Sequence, residues 1–177
     1  FYFINWKFYI YKIFMKIIKH NWILIIFLIS FFAIVSALTA EYFFEIFPCK
    51  MCLNQRYPYY FIMIISLIFF FIKKFSYIWK LLLIECALCY GIFYATWHIG
   101  IEQKILPGLP ECTTSLDHTN SLIELKNQIL NQTIITCDEI TWTIVGLSAA
   151  TINAFILLFL LIFNSIFLIQ YFNVKKM

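Results

Sequence analysis

Four long apolar runs alternate with short polar stretches along this chain, at approximately Asn21–Ala40, Tyr57–Ile72, Ile78–Trp97 and Thr143–Ile169. A helix of about 20 residues crosses a hydrocarbon core of roughly 30 Å, so each run predicts a membrane span. The second run is short by that rule, but it extends back through Leu53. The fourth is long enough to tilt or to continue along the inner surface. The expected fold is an all-α integral membrane protein, a four-transmembrane-helix bundle. One membrane domain over 21–170 accounts for the pattern, preceded by an interfacial or cytoplasmic segment over 1–20 and followed by a tail at 171–177. Residues 1–20 mix aromatics with lysines, as an interfacial helix does. They also read as translated sequence upstream of a start at Met15. The first run is longer than the apolar core of a signal peptide, and Ala37 and Ala40 make a poor cleavage site. It is therefore expected to be retained.

Charge fixes the expected orientation. Lys7, Lys12, Lys16 and Lys19 precede the first run, Lys73, Lys74 and Lys80 join the second to the third, and Lys175 and Lys176 close the chain. No acidic residue accompanies them outside the runs. Lys50, Arg56, Lys104 and Lys126 lie on the other side, with all the acidic residues except Glu85. Basic segments stay in the cytoplasm, so both termini are expected inside, and the loops 41–56 and 98–142 outside. Trp22 and Trp79 fall at the inner boundaries, and Trp97 and Trp142 at the outer ones, as an aromatic belt requires. With 63% hydrophobic and 12% charged residues the chain is not a soluble domain. Its net charge of +4 gathers at the ends of the runs and forms no stripe, which argues against a nucleic-acid partner.

The six cysteines divide by compartment. Cys49 and Cys52 lie in the first outer loop, Cys112 and Cys137 in the second, and Cys86 and Cys89 within the third span. An oxidising outer compartment lets the first four form disulfides. Pro48-Cys49-Lys50-Met51-Cys52 is the stretch with redox character, because Lys50 and Arg56 supply positive potential that lowers a thiol pKa. If residues 53–56 open the second helix, its dipole favours a thiolate at Cys52. The site would pass electrons from protein thiols to a membrane carrier. An inert structural staple is the plainer reading of the same pair. A four-thiolate zinc site completed by Cys112 and Cys137 is permitted by their 24 intervening residues, but an oxidising compartment favours disulfides, and no metal is expected. Cys86 and Cys89 read as small packing residues whose reactivity burial suppresses. Glu85 beside them is an intramembrane carboxylate, which needs a partner or a cavity.

The second outer loop, about 45 residues long, begins with a segment too rich in Pro and Gly for a helix, leaving Cys112 accessible. Leu122, Ile123, Leu125, Ile129 and Leu130 recur with helical periodicity, predicting a short amphipathic helix on the outer leaflet. A Cys112–Cys137 bridge would either stabilise this loop or present Cys112 to an incoming thiol. His98 closes the third span at the depth expected for Cys52 and Arg56.

Together these features resemble the disulfide bond formation protein B (DsbB) family of bacterial inner-membrane thiol oxidases. The matching residues are Pro48, Cys49, Cys52 and Arg56, then Tyr94, His98, Gly100 and Glu102 closing the third span. Cys112, Cys137, Asp138, Trp142 and Gly146-Leu147-Ser148 continue the match, which covers about residues 20–165. The resemblance implies that Cys49 and Cys52 are the quinone-coupled pair and that Cys112 and Cys137 oxidise a DsbA-like thioredoxin-fold partner in the periplasm. It also implies that Arg56 contacts the quinone (ubiquinone or menaquinone), with His98 nearby. Cys86 and Cys89 are additional to the family pattern, and Gln55 stands where some members have an acidic residue. A disulfide-stapled membrane scaffold or transporter subunit is the competing expectation. A vitamin-K-epoxide-reductase-like enzyme fits the cysteine order less well.

Overall fold

The computed structural model describes residues 2–72, 74–108, 137, 143–144 and 146–176. The elements are α1 (Tyr2–Tyr42), α2 (Lys50–Asn54), α3 (Tyr57–Phe71), α4 (Tyr77–Glu102), β1 (Thr143–Ile144), β2 (Leu147–Ser148) and α5 (Ala149–Lys176). Among the described residues, three segments are long and apolar enough to cross a membrane: Ile17–Tyr42, Tyr77–Glu102 and Ala149–Asn173. The protein is a mostly helical, multi-pass membrane protein. α3 has 15 residues, which at 1.5 Å per residue rise about 22 Å. It packs against α1 and α4, and α4 packs most extensively on α5.

Apolar side chains turn both inward and outward on every long helix, as expected where lipid replaces water. The inward faces meet in one core that includes Ile26, Ile62, Leu81, Ile84, Leu88, Leu157, Leu160 and Phe167. Several hydroxyls along the spans bond back to their own helix, which satisfies them where water is excluded. Ser36 donates to Ala33 O, Thr39 to Val35 O and Thr96 to Ile92 O. Gly91 allows α4 to approach its neighbours closely. A Cβ there would stand 3.0 Å from both Leu157 Cδ1 and Pro58 Cγ.

Several sequence expectations change. The helix expected from Thr143 begins at Ala149, because 143–144 and 147–148 pair as a two-stranded antiparallel ladder around Gly146, whose φ is +79°. The backbone over residues 2–16 continues α1 without a break. Trp22 is not an interfacial belt residue. It is 2% exposed, its indole N–H donates to Asn164 Oδ1 at 2.9 Å, and Phe167 packs edge-on against its ring. An amide inside an apolar bundle is a stronger attraction for that N–H than the interface. Trp79 is exposed.

Glu85, on α4, finds its partners on α5. Asn164 Nδ2 donates to Glu85 Oε2 at 2.6 Å and Ser165 Oγ donates to Glu85 Oε1. Cys86 and Cys89 are not packing residues of the core: both are free thiols exposed on the outer surface of the bundle. Their positions follow from Ala87 and Leu88, which take the buried face of α4.

Candidate redox site at the end of the bundle

After α1 ends at Tyr42 the chain runs through Glu45, with φ +54°, and Pro48 before turning into α2. Cys49 is the N-cap of this one-turn helix: its Sγ accepts the Cys52 backbone N–H at 3.2 Å. The i to i+3 spacing of the motif then brings Cys52 Sγ to 2.8 Å from Cys49 Sγ. Both are free thiols, outside the membrane-spanning helices. Cys49 is 4% exposed and packs with Met51, Ile101 and Cys137, with Tyr94 and Trp97 at the edge.

α4 supplies the third member. His98 is 4% exposed and points Nε2 at Cys49 Sγ, 3.6 Å away. On its other side, Gln55 Nε2 donates to His98 Nδ1 at 2.8 Å, Asn153 Nδ2 to Gln55 Oε1 at 2.7 Å, and Tyr59 Oη to Asn153 Oδ1 at 2.5 Å. This row of hydrogen bonds crosses from α3 through α5 to α4. Glu102, one turn beyond His98, has Oε1 3.9 Å from His98 Nε2, and its Oε2 accepts from Ser148 Oγ at 2.6 Å. Ser148 Oγ also accepts the Thr151 N–H and so caps the start of α5.

This environment separates the two thiols. Cys49 is lowered to about 5, first by the hydrogen bond with Cys52, then by His98, against the opposing effect of burial. Cys52 is pushed up, first by its hydrogen bond to Cys49 and then by burial. One negative charge shared over two close sulfurs settles on the sulfur with more donors, and that is Cys49. The expectation of a dipole-favoured thiolate at Cys52 is thereby reversed, because α2 starts at Cys49 and ends before α3 begins. Lys50 and Arg56 are not what lowers Cys49. Arg56 instead pairs with Glu41 at the end of α1, Nη1 to Oε2 at 2.5 Å.

Cys52, Arg56, Gln55, Tyr59 and Asn153 line one side of a cavity of about 240 Å3. Apart from Ser36, the rest of its lining is apolar and includes Ile34, Ala37 and Ala40 of α1 and Ala150 and Ile156 of α5. The structure thus brings together Cys49, Cys52 and His98, and sets Arg56 on the cavity wall beside Cys52. Cys137 is buried and disulfide-bonded. Cys112, and the amphipathic helix expected near residues 122–130, lie outside the described residues.

Gln55, Tyr59 and Asn153 are site residues that sequence reasoning passed over. Asn153 had a signal: an amide within an apolar span is costly and implies a partner. Gln55 carries no such signal, since nothing in one dimension links it to His98.

Two adjacent thiols of opposed acidity, held beside an imidazole and opening on an apolar cavity in a helical membrane protein, define a membrane disulfide oxidoreductase. The comparison with known families agrees: residues 19–167 match the family described as disulfide bond formation protein DsbB, and the chain belongs to it. A relative from Rickettsia prowazekii (strain Madrid E), the uncharacterized protein RP370, is 28% identical over 147 residues, which is 82% of this chain and 85% of that protein. No solved structure matches the chain.

Proposed function

We propose that the protein reoxidises a DsbA-like thioredoxin-fold dithiol in the periplasm and passes the electrons to a membrane quinone, ubiquinone or menaquinone. The observation that carries this reading is that Cys52 is at once 2.8 Å from Cys49 Sγ and on the wall of the cavity shared with Arg56. The cavity suits a quinone head group. An apolar space of about 150 Å3 admits benzene, so 240 Å3 admits a substituted ring. Arg56, Gln55 and Asn153 offer N–H donors to ring oxygens on an otherwise apolar surface.

In the proposed sequence a partner thiolate attacks a Cys112–Cys137 disulfide at Cys112. The partner's second thiol resolves the mixed disulfide, leaving the partner oxidised and Cys112 and Cys137 reduced. These two thiols exchange with a Cys49–Cys52 disulfide and leave that pair as the dithiol. The Cys49–Cys52 bond then reforms with loss of two electrons and two protons, which a quinone held in the cavity would accept. His98 holds the Cys49 thiolate and Cys52 faces the cavity. Arg56, steadied by Glu41, presents positive charge where electron density accumulates.

The topology proposed with this function has four spans, α3 being the second. Both termini are cytoplasmic, the loops 41–56 and 98–142 are periplasmic, and the membrane domain covers 21–170 of an inner-membrane protein. The lysine distribution supports it. The test is quinone reduction by the purified protein in detergent, with a reduced thioredoxin-fold oxidase as donor. Turnover is expected to vanish in Cys52→Ser and Cys112→Ser and to persist in Cys86→Ala. If no dithiol donor drives quinone reduction by the wild type, the outer cysteines are structural staples and the proposal is wrong.

A further inference from the structure

The same three side chains that make the redox site also make a set of metal ligands. Cys49 Sγ, Cys52 Sγ and His98 Nε2 all lie within 4.8 Å of one another. We propose that the reduced protein binds a thiophilic divalent cation, zinc foremost, through these three atoms, and that the ion blocks turnover until it leaves.

Donor chemistry comes first. Two thiolates and one imidazole form a Cys2His set, which zinc takes with an open fourth position. Tetrahedral bonds of about 2.3 Å to sulfur and 2.0 Å to nitrogen put sulfur and nitrogen roughly 3.6 Å apart. Cys49 Sγ and His98 Nε2 already stand at 3.6 Å. The two sulfurs, at 2.8 Å, must open by about 1 Å to reach a tetrahedral edge. Loss of the Cys52 proton drives that opening, because two thiolates repel.

Charge supports the same assignment. Two thiolates and a dication sum to zero, so the filled site is neutral in a place where Cys49 and His98 are almost fully buried. Binding converts two thiols and the aqueous ion into a dithiolate complex and releases two protons, with no change of oxidation state. Disulfide sulfurs are poor ligands, so the oxidised protein lacks the site. The ion therefore selects the reduced state and holds it there.

The surroundings orient the imidazole as a metal ligand requires. A ligating His presents a lone pair on one nitrogen and donates its other N–H to a fixed acceptor. Gln55 contacts His98 Nδ1, and rotating its amide turns Oε1 to accept that N–H. Asn153 rotates with it and donates to Tyr59 Oη, so every member of the row stays paired. Cys52 is on the cavity wall, and water from that side completes the fourth position.

The test uses the full-length protein in detergent, reduced and freed of reductant under anaerobic conditions. Cobalt(II) serves as the spectroscopic probe and zinc as its competitor. One equivalent of cobalt is expected to produce thiolate-to-metal charge-transfer and tetrahedral ligand-field absorption, which zinc then abolishes. The oxidised wild type should give no such bands. A variant with Cys86, Cys89, Cys112 and Cys137 replaced by Ala should keep them. His98→Gln and Gln55→Leu should weaken binding by about 10–100-fold. No thiolate bands with the reduced wild type would overturn the proposal. So would bands lost in the four-cysteine variant, which would move the ion to another pair, or an affinity unchanged in His98→Gln. Quinone reduction measured alongside separates the two proposals, since a chain that turns over without binding cobalt refutes only the metal site.

Discussion

Gln55 Nε2 lies 2.8 Å from His98 Nδ1, and this contact aims the opposite edge of the imidazole at Cys49. Gln55 is itself held by Asn153, and Asn153 by Tyr59, so three helices fix the angle of one ring. Gln55→Leu removes the donor and leaves His98 and Asn153 each short of a buried partner. The expected result is about a tenfold fall in thiol-driven turnover, with the acidic limb of the pH profile moved upward as His98 loses its grip on the Cys49 thiolate. Gln55→Glu keeps the oxygen that accepts from Asn153 but offers His98 Nδ1 no N–H, so it should lose turnover as Gln55→Leu does. Parallel pH–rate profiles of the two variants check this.

The acidity of Cys49 has a direct readout in the metal-free reduced protein. Thiolate ultraviolet absorbance should persist on acidification and disappear around pH 5. Cys49→Ser should lack that transition. Cys52→Ala should move it upward, because the strongest influence lowering Cys49 is the Cys52 hydrogen bond. Stability follows the same sign. A folded pKa of about 5 below an ordinary value of 9.0 contributes stability that is fully present above pH 9 and declines as the pH falls toward 5. Thermal unfolding of the reduced wild type against Cys49→Ser over that window measures it.

Arg56 and Glu41 carry different weights. Both side chains are partly solvated, so the ion pair itself contributes about 0.2–1 kcal/mol. Glu41→Gln should therefore change stability little and raise the KM for quinone modestly. Arg56→Met removes the cationic donor from the cavity wall and should cost far more turnover. Steady-state kinetics with varied quinone distinguish the two.

Asn164 is expected to dominate the stability of the opposite end of the bundle. It accepts from Trp22, donates to Leu81 O and donates to Glu85, three bonds without competition from water. Asn164→Leu should destabilise the protein by about 2 kcal/mol, given roughly 0.6 kcal/mol per bond within a membrane and a buried carboxylate left short of a partner. Unfolding in mixed detergent micelles measures the loss. Glu85→Gln should be milder, since an amide oxygen still accepts.

Gly91 is a steric prediction. Gly91→Ala places a methyl 3.0 Å from Leu157 Cδ1 and Pro58 Cγ, and should cost about 1–3 kcal/mol. Leu157→Ala in the same chain should recover part of that loss, because both methyls of Leu157 crowd that position, at 3.0 and 3.2 Å. The same micelle unfolding assay, read as a double-mutant cycle, gives the coupling.

What one sequence determined here follows from short-range rules. The runs Tyr57–Ile72 and Ile78–Trp97 match α3 and α4 closely, because length and hydropathy alone specify a helix where no water can satisfy the backbone. The proximity of Cys49 and Cys52 was legible too, since a three-residue spacing across one helical turn brings two side chains together. Other features required the tertiary structure. Lys50 and Arg56 looked like the source of thiol acidity because they are neighbours in sequence, yet the groups that act on Cys49 are Cys52 and His98, the latter 49 positions away. Trp22 and Asn164, 142 positions apart, look like an interfacial aromatic and an isolated amide until they meet. Hydropathy predicts that a residue leaves water. It carries no information on which partner receives a buried donor, because that depends on how helices distant in sequence rotate and pack against each other.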